Sequence, residues 1–256
     1  MPDPVRFRLL APSGEGLSAR EIIAALALRD DGPGDRPRVI AVMVSAPDGR
    51  ATVDGKSGGL SSPADSDVLR AMRAEADALF VGSRTLRVEG YGALLDEGHR
   101  AERQARGLPA ALRLFTVARD LETLPLDEAP IFHEPGAPIT VFTTSTVEDV
   151  PDPDVAAALE VVRLTHETLD LAAVLDHARS AHGADLVVTE GGPTLLWGLT
   201  VAGLLDDLLH TVAPMLIAGD GTTMLAGDAF AEPVPLRVAG TYQAGEHLFV
   251  HYRVAR

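Results

Sequence analysis

Apolar residues in this chain come in short, dense runs separated by longer polar stretches. Arg38–Ser45 (RVIAVMVS), Ala78–Gly82 (ALFVG), Leu112–Ala118 (LRLFTVA), Pro138–Thr144 (PITVFTT) and Leu159–Leu164 (LEVVRL) each have the length of a strand. Pro63 opens a helical pattern that runs through ADSDVLRAMRAEA. The polar stretch GYGALLDEGHRAERQARGLP predicts a loop followed by a helix. ETLDLAAVLDHARSAHG predicts an amphipathic helix stopped at Gly183. ADLVVTE then reads as a strand and PTLLWGLTVAG as a helix, and LLDDLLHTVAPMLIAG turns to strand after Asp206. The final PLRVAGTYQAGEHLFVHYRVAR predicts a β-hairpin that turns at Gln243–Glu246. Strands that alternate with helices imply right-handed βαβ units. The expected fold class is α/β, with a mostly parallel central sheet flanked by helices and a C-terminal β-hairpin.

Residues 1–36 read as an N-terminal extension carrying a short helix. Ser18 caps it and Glu21, three residues on, completes a capping box. Asp30–Pro37 (DDGPGDRP) reads as a linker, which leaves 37–256 as the main domain. At 256 residues the chain suits one α/β domain or two small ones.

Charge and composition narrow the function. The net charge of −15 makes nucleic acid and anionic membrane poor partners. An anionic small ligand can still enter a local basic pocket. The absence of cysteine excludes disulfides, thiolate zinc sites and cysteine nucleophiles, and it agrees with a cytoplasmic location. No apolar run reaches membrane-span length, and the N-terminus lacks a secretory pattern.

In parallel sheets, ligands bind beyond the carboxyl ends of the strands. Asp48, Gly82–Thr85, Arg119, Thr143–Ser145 and Glu190–Thr194 all fall there. Glu190-Gly191-Gly192-Pro193-Thr194 can be a plain strand-to-helix turn, with glycine for positive φ and proline at the first helical position. It can equally be an anion site: free amides at a helix N-terminus, with no Cβ in the way, suit a pyrophosphate. Val81-Gly82-Ser83-Arg84-Thr85 repeats the pattern after the second strand. Two weaker matches fail on context. Gly55-Lys56-Ser57-Gly58-Gly59 fits the hydrolase nucleophile-elbow pattern, but it sits in a loop and not between a strand and a helix. Gly49 to Lys56-Ser57 misses P-loop spacing by one residue. The eight histidines show no metal-ligand spacing and are expected mostly at the surface, and no metal is expected. Arg100, Arg103 and Arg106 predict a solvated helix face, with phosphate binding as the second reading.

Two blocks carry a family resemblance: DGRATVDGKSGGLSSPADSDVLRAMRAEADALFVGSRTLRVEGYG and VVTEGGPTLLWGLTVAGLLDDLLHTVAPMLIAG. Together they resemble the reductase domain of riboflavin biosynthesis, in particular its stand-alone pyrimidine reductases. The resemblance implies a dihydrofolate-reductase-like fold, a homodimer and NADPH as coenzyme. It implies reduction of the ribose of 5-amino-6-(5-phosphoribosylamino)uracil to a ribityl chain. Carried over by motif, the coenzyme contacts fall on Gly59, Thr85 and Glu89, and on Gly192, Pro193, Thr194, Leu195, Leu196, Trp197 and Gly198. Gly82 and Gly191 belong to the same two turns. Substrate contacts fall on Ser57, Arg73 and Glu190, and Asp48 matches the family's first-strand Asp-Gly. Asp48 and Glu190 are the candidates for orientation or proton relay. Arg73 is a candidate for the substrate phosphate and Arg119 for the coenzyme 2′-phosphate. The zinc deaminase half found in bifunctional relatives is absent, as the lack of cysteine requires. A pterin reductase of the same fold and a non-catalytic NADPH sensor are the alternatives.

Overall fold

The computed structural model describes residues 16–30, 32–146, 154–164 and 169–255; residues 1–15 of the expected extension and His166 lie outside them. Among the described residues one sheet of nine strands runs in the order β5-β4-β3-β2-β6-β1-β7-β9-β8. The strands are β1 (Arg38–Ser45), β2 (Ala78–Phe80), β3 (Arg113–Ala118), β4 (Pro138–Thr143), β5 (Ala158–Arg163), β6 (Leu186–Thr189), β7 (Asp207–Val212), β8 (Leu236–Ala244) and β9 (His247–Val254). The first seven are mutually parallel, and the β8–β9 hairpin joins antiparallel through β9 on β7. This is the mostly parallel sheet with a terminal hairpin that the sequence pattern predicts.

The continuous apolarity of β1 has its reason in two-sided burial. Ile40 and Val42 enter one core layer, and Val39 and Ala41 the opposite one. The first layer is filled from α1 (Ala19–Ala25), α2 (Pro63–Glu75) and the segment around Leu121–Phe132. The second is filled from α5 (Leu171–His182) and α6 (Pro193–Val201). The capping box at Ser18 and Glu21 is formed, and Ile23, Leu26 and Leu28 carry α1 into the first layer. Gly183 ends α5 in the left-handed conformation at φ 63°, where L side chains are disfavoured.

Two expectations about polar residues change. Arg103 of α4 (Glu97–Ala105) is fully buried, not solvated. Its guanidinium donates to the carbonyls of Pro109, Ala74 and Ala76, so it satisfies the open C-terminal end of α2. Burial lowers its pKa. His251 is also buried, not at the surface: its Nε2 lies 2.7 Å from Asp207 Oδ1, while Arg38 Nε donates to Oδ2 at 2.7 Å. That cluster sews β1, β7 and β9 together near the start of the sheet. No helix among the described residues is long and apolar enough to cross a membrane.

Candidate active site

The carboxyl ends of β1, β2, β3 and β6 open into a cleft of about 1110 Å³. Ligand pockets usually span about 300–1,000 Å³, so this one has room for more than one small molecule. Two glycine turns meet at its floor. β2 hands over to α3 (Ser83–Glu89) at Gly82, and β6 hands over to α6 at Gly191-Gly192. β2 and β6 are hydrogen-bonded neighbours, so the turns lie side by side, and the Gly82 amide donates to the Gly191 carbonyl at 2.9 Å. The Gly191–Gly192 peptide bond is cis, and Gly191 has φ 88°. A Cβ on Gly192 would stand 2.4 Å from Thr85 Oγ1, so only glycine fits there. No side chain caps α6: its N-cap is Gly192 and Pro193 takes the first helical position. The following amides are therefore open for an anion.

Beside these turns the cleft is lined by an ion pair and a phenol. Glu190 follows β6 directly, and its carboxylate is held from three directions. Arg73, in the last turn of α2, donates through Nε to Oε1 and through Nη2 to Oε2, both at 2.6 Å. The Tyr91 hydroxyl donates to Oε2 at 2.5 Å. Both Glu190 and Arg73 are largely buried, with side-chain exposures of 5% and 15%. Burial opposes the Arg73 charge, but the Glu190 charge and its hydrogen bonds outweigh it and raise the Arg73 pKa. Burial and the same carboxylate push the Tyr91 phenol well above its ordinary value. The Arg73 guanidinium carbon also lies 5.5 Å from the centre of the Tyr91 ring.

Most residues singled out from the sequence line this cleft: Ser57, Arg73, Gly82, Thr85, Glu89, Arg119, Glu190, Gly192, Pro193, Thr194, Leu195, Trp197 and Gly198. Four do not. Leu196 is buried in the second core layer, Gly191 lies against Met43, and Gly59 packs so closely on Val53 that a Cβ would come within 2.8 Å. Asp48 is exposed outside the lining and spends its carboxylate on backbone. Oδ2 accepts from the amides of Ile217 and Ala218 at 2.8 and 2.7 Å, and Oδ1 from the Arg50 amide at 3.2 Å. Those amide bonds hold its pKa below the usual carboxylate value. Arg73, a candidate for substrate phosphate, is occupied by Glu190. Glu89 accepts from the Ser57 amide at 2.9 Å and so ties α3 to the Gly-rich loop.

Sequence reasoning missed Tyr91 as the second partner of Glu190. It also missed the wall made by Gly221, Thr222, Thr223 and Ala226. The Gly219-Asp220-Gly221 run was the available signal for that wall. Arg50 Nη1 donates to the Gly221 carbonyl at 2.6 Å, and the Trp197 indole N–H donates to the Asp228 carbonyl at 2.8 Å. Trp197 lies flat against Gly227, where a Cβ would come within 2.2 Å of its ring.

Main-chain amides left open at a helix start, beside a fixed carboxylate at a strand end, give this α/β protein a cleft suited to an anionic small ligand. The chain belongs to the family of the RibD C-terminal domain, whose model matches residues 37–250. It is 27% identical over 229 residues to the 2,5-diamino-6-ribosylamino-4(3H)-pyrimidinone 5′-phosphate reductase of Methanothermobacter thermautotrophicus, covering 86% of this chain and 99% of that one. It is 26% identical over 225 residues to the protein of the same name from Archaeoglobus fulgidus, covering 86% of this chain and 100% of that one. Among solved structures, a pyrimidine reductase-like protein of Corynebacterium diphtheriae superposes with a TM-score of 0.75 at 23% identity, covering 94% of this chain and all of that one. The fold is thus that of the pyrimidine reductases, and the chain is an oxidoreductase of the riboflavin-pathway type. Reductases of this kind use a nicotinamide coenzyme.

Proposed function

We propose that this chain reduces the ribose of a phosphorylated 6-ribosylaminopyrimidine to a ribityl chain, with NADPH as coenzyme. The observation that carries this reading is the junction of the uncapped α6 N-terminus with the Glu190–Arg73–Tyr91 cluster inside one cleft. The residues present suit the coenzyme. Gly82 and Gly192 keep side chains out of the floor, and the amides of Thr194 and Leu195, ahead of the first helical bond from Leu196 to Gly192, are free to meet a pyrophosphate. Arg84 and Arg119 line the cleft and have no ion-pair partner among the described residues, which suits them to the 2′-phosphate that separates NADPH from NADH. When bound, the coenzyme would supply a hydride from nicotinamide C4 to C1′ of the opened sugar imine, and solvent reaching the open cleft would supply the proton that the nitrogen gains.

The protein's own part is placement. Glu190 is fixed as an acceptor by Arg73 and Tyr91, so it orients N–H donors of the pyrimidine. Arg73 and Tyr91 hold that carboxylate within the narrow range that brings reacting atoms to about 3–3.5 Å. Asp48 acts at a distance, by pinning the loop at Ile217–Ala218 that leads into the Gly221–Thr223 wall. Ser57 of the Gly-rich loop and Glu89 of α3 together close one end of the cleft. The functional form is a homodimer, for which the exposed apolar Leu236, Val238 and Leu248 of the hairpin offer a surface; light scattering reports it.

The relatives' names specify a pyrimidinone with an amino group on C2, where the uracil has an oxygen. Purified protein is assayed with both phosphates and with dihydrofolate by loss of reduced-nicotinamide absorbance. The expected result is turnover of a ribosylaminopyrimidine phosphate faster with NADPH than with NADH. Turnover of dihydrofolate alone would make it a pterin reductase. NADPH binding with no turnover of any of the three would make it a sensor.

A further inference from the structure

We propose a second site, a transition-metal centre formed by Glu160 of β5 with His177 and His182 of α5. None of the three lines the cleft. One ligand atom from each lies within 4.8 Å of the others. His177 Nε2 stands 3.5 Å from Glu160 Oε1, and His182 Nε2 stands 3.2 Å from Oε2. Atoms bound tetrahedrally to zinc at about 2.0–2.2 Å sit roughly 3.3–3.5 Å apart, so both histidine–carboxylate separations are close to coordination size already.

The sequence conceals this centre because its carboxylate comes from a strand and its imidazoles from the next helix. The register supplies the match. β5 is one of the two edge strands, and Glu160 pairs with Thr140 on the face that α5 covers. Both Nε2 atoms are closed off from solvent, and neither makes a well-formed hydrogen bond among the described residues. Buried ring nitrogens without partners are costly, and a metal would satisfy both. The rings are held in place by aromatic neighbours: Phe142 lies edge-on to His177 at 5.4 Å, and Phe115 lies 5.7 Å from His182. Thr140 Oγ1 donates to Glu160 Oε2 at 2.9 Å and orients the carboxylate, the kind of support that metal ligands receive. Arg113 is the competing cation, with Nη1 3.6 Å from Oε2. Two imidazoles and one carboxylate suit Zn²⁺, Co²⁺ or Ni²⁺ and not Mg²⁺ or Ca²⁺, with one position left for water. The ion would clamp the half-exposed edge strand to α5.

The test uses the untagged full chain and Co²⁺ as probe, read by visible absorption and by equilibrium dialysis, followed by Zn²⁺ displacement and thermal melts. The expected result is one Co²⁺ per chain with a tetrahedral spectrum, displaced by Zn²⁺, and a higher melting temperature with Zn²⁺. His177→Gln and His182→Gln remove direct ligands, so each should weaken binding by more than the roughly tenfold seen when a supporting group is lost. Arg113→Gln removes the competitor without touching a ligand and should tighten binding, which decides the matter if the histidine variants fail to fold. Stoichiometric binding that both histidine variants retain would place the ion elsewhere and overturn the proposal. So would the absence of binding in wild type and Arg113→Gln alike.

Discussion

On one side of the cleft, where β2 and β6 end, the wall is main chain: glycines, a cis peptide and the open amides of α6. Beside it, between the end of β6 and the last turn of α2, the wall is a carboxylate gripped by a guanidinium and a phenol. The first side offers shape and partial charges that no side-chain substitution elsewhere can remove. The second offers an ion pair that is stable only while its partners stay. The main-chain side should therefore fail when an atom is added, and the ionic side when one is taken away.

Four experiments test that contrast. The largest effect is expected from Glu190→Gln, which leaves the Arg73 charge buried without its partner. Breaking a buried pair costs about 3–5 kcal/mol, to be read by denaturant unfolding, and turnover should be lost with it. A variant as stable and active as wild type would refute the role given to the cluster. Next is Gly192→Ala, whose new Cβ meets Thr85 Oγ1. Overpacking of this kind costs about 1–3 kcal/mol and should weaken NADPH binding. Adding Thr85→Ala should restore the stability. By contrast Gly82→Ala, whose Cβ finds its nearest neighbour at 3.5 Å, should stay within about 1 kcal/mol of wild type. Equal damage at Gly82 and Gly192 would mean that the glycines matter for something other than space.

Smaller effects come from the cations at the rim. Arg119→Gln and Arg84→Gln should each raise the KM for NADPH, by about tenfold if a charge-assisted hydrogen bond is lost, and leave that for NADH unchanged. Parallel loss with both coenzymes would remove the 2′-phosphate from the account. The smallest signal is alkaline. The Tyr91 phenol is raised above its unfolded value of about 10, so its stabilisation is complete below that pH and is lost as pH rises through and beyond it. Tyr91→Phe should flatten the alkaline limb of the stability curve. It should also remove a tyrosinate step that in wild type appears only with unfolding.

The two sides differed in how far the sequence revealed them. β1 has the bounds its apolar run predicts, and Gly183 and Pro193 mark helix ends where the pattern places them. The glycine turns were legible because positive φ and the absence of a Cβ are properties of single residues. The ionic cluster was only half legible: Arg73 and Glu190 stood out one by one, but they are 117 positions apart and their pairing exists only in the fold. Tyr91 carried no local pattern at all. Arg103 misled because a polar helix position reads as solvated, whereas a guanidinium can be buried when several carbonyls at a helix end need donors. Asp48 misled in another way. A carboxylate at a strand tip is equally suited to a ligand or to a neighbouring loop, and here the loop at Ile217–Ala218 takes it.

The place of β1 in the sheet has a consequence for how the molecule comes into being. Although it is the first strand among the described residues, its two partners are β6 and β7, beginning at Leu186 and Asp207. A sticky ribbon thus leaves the ribosome long before either neighbour exists, and such delayed pairing is slow and prone to aggregation. During synthesis that ribbon must be shielded by a chaperone or by provisional collapse, and a chain cut short before Leu186 should be found in the insoluble fraction.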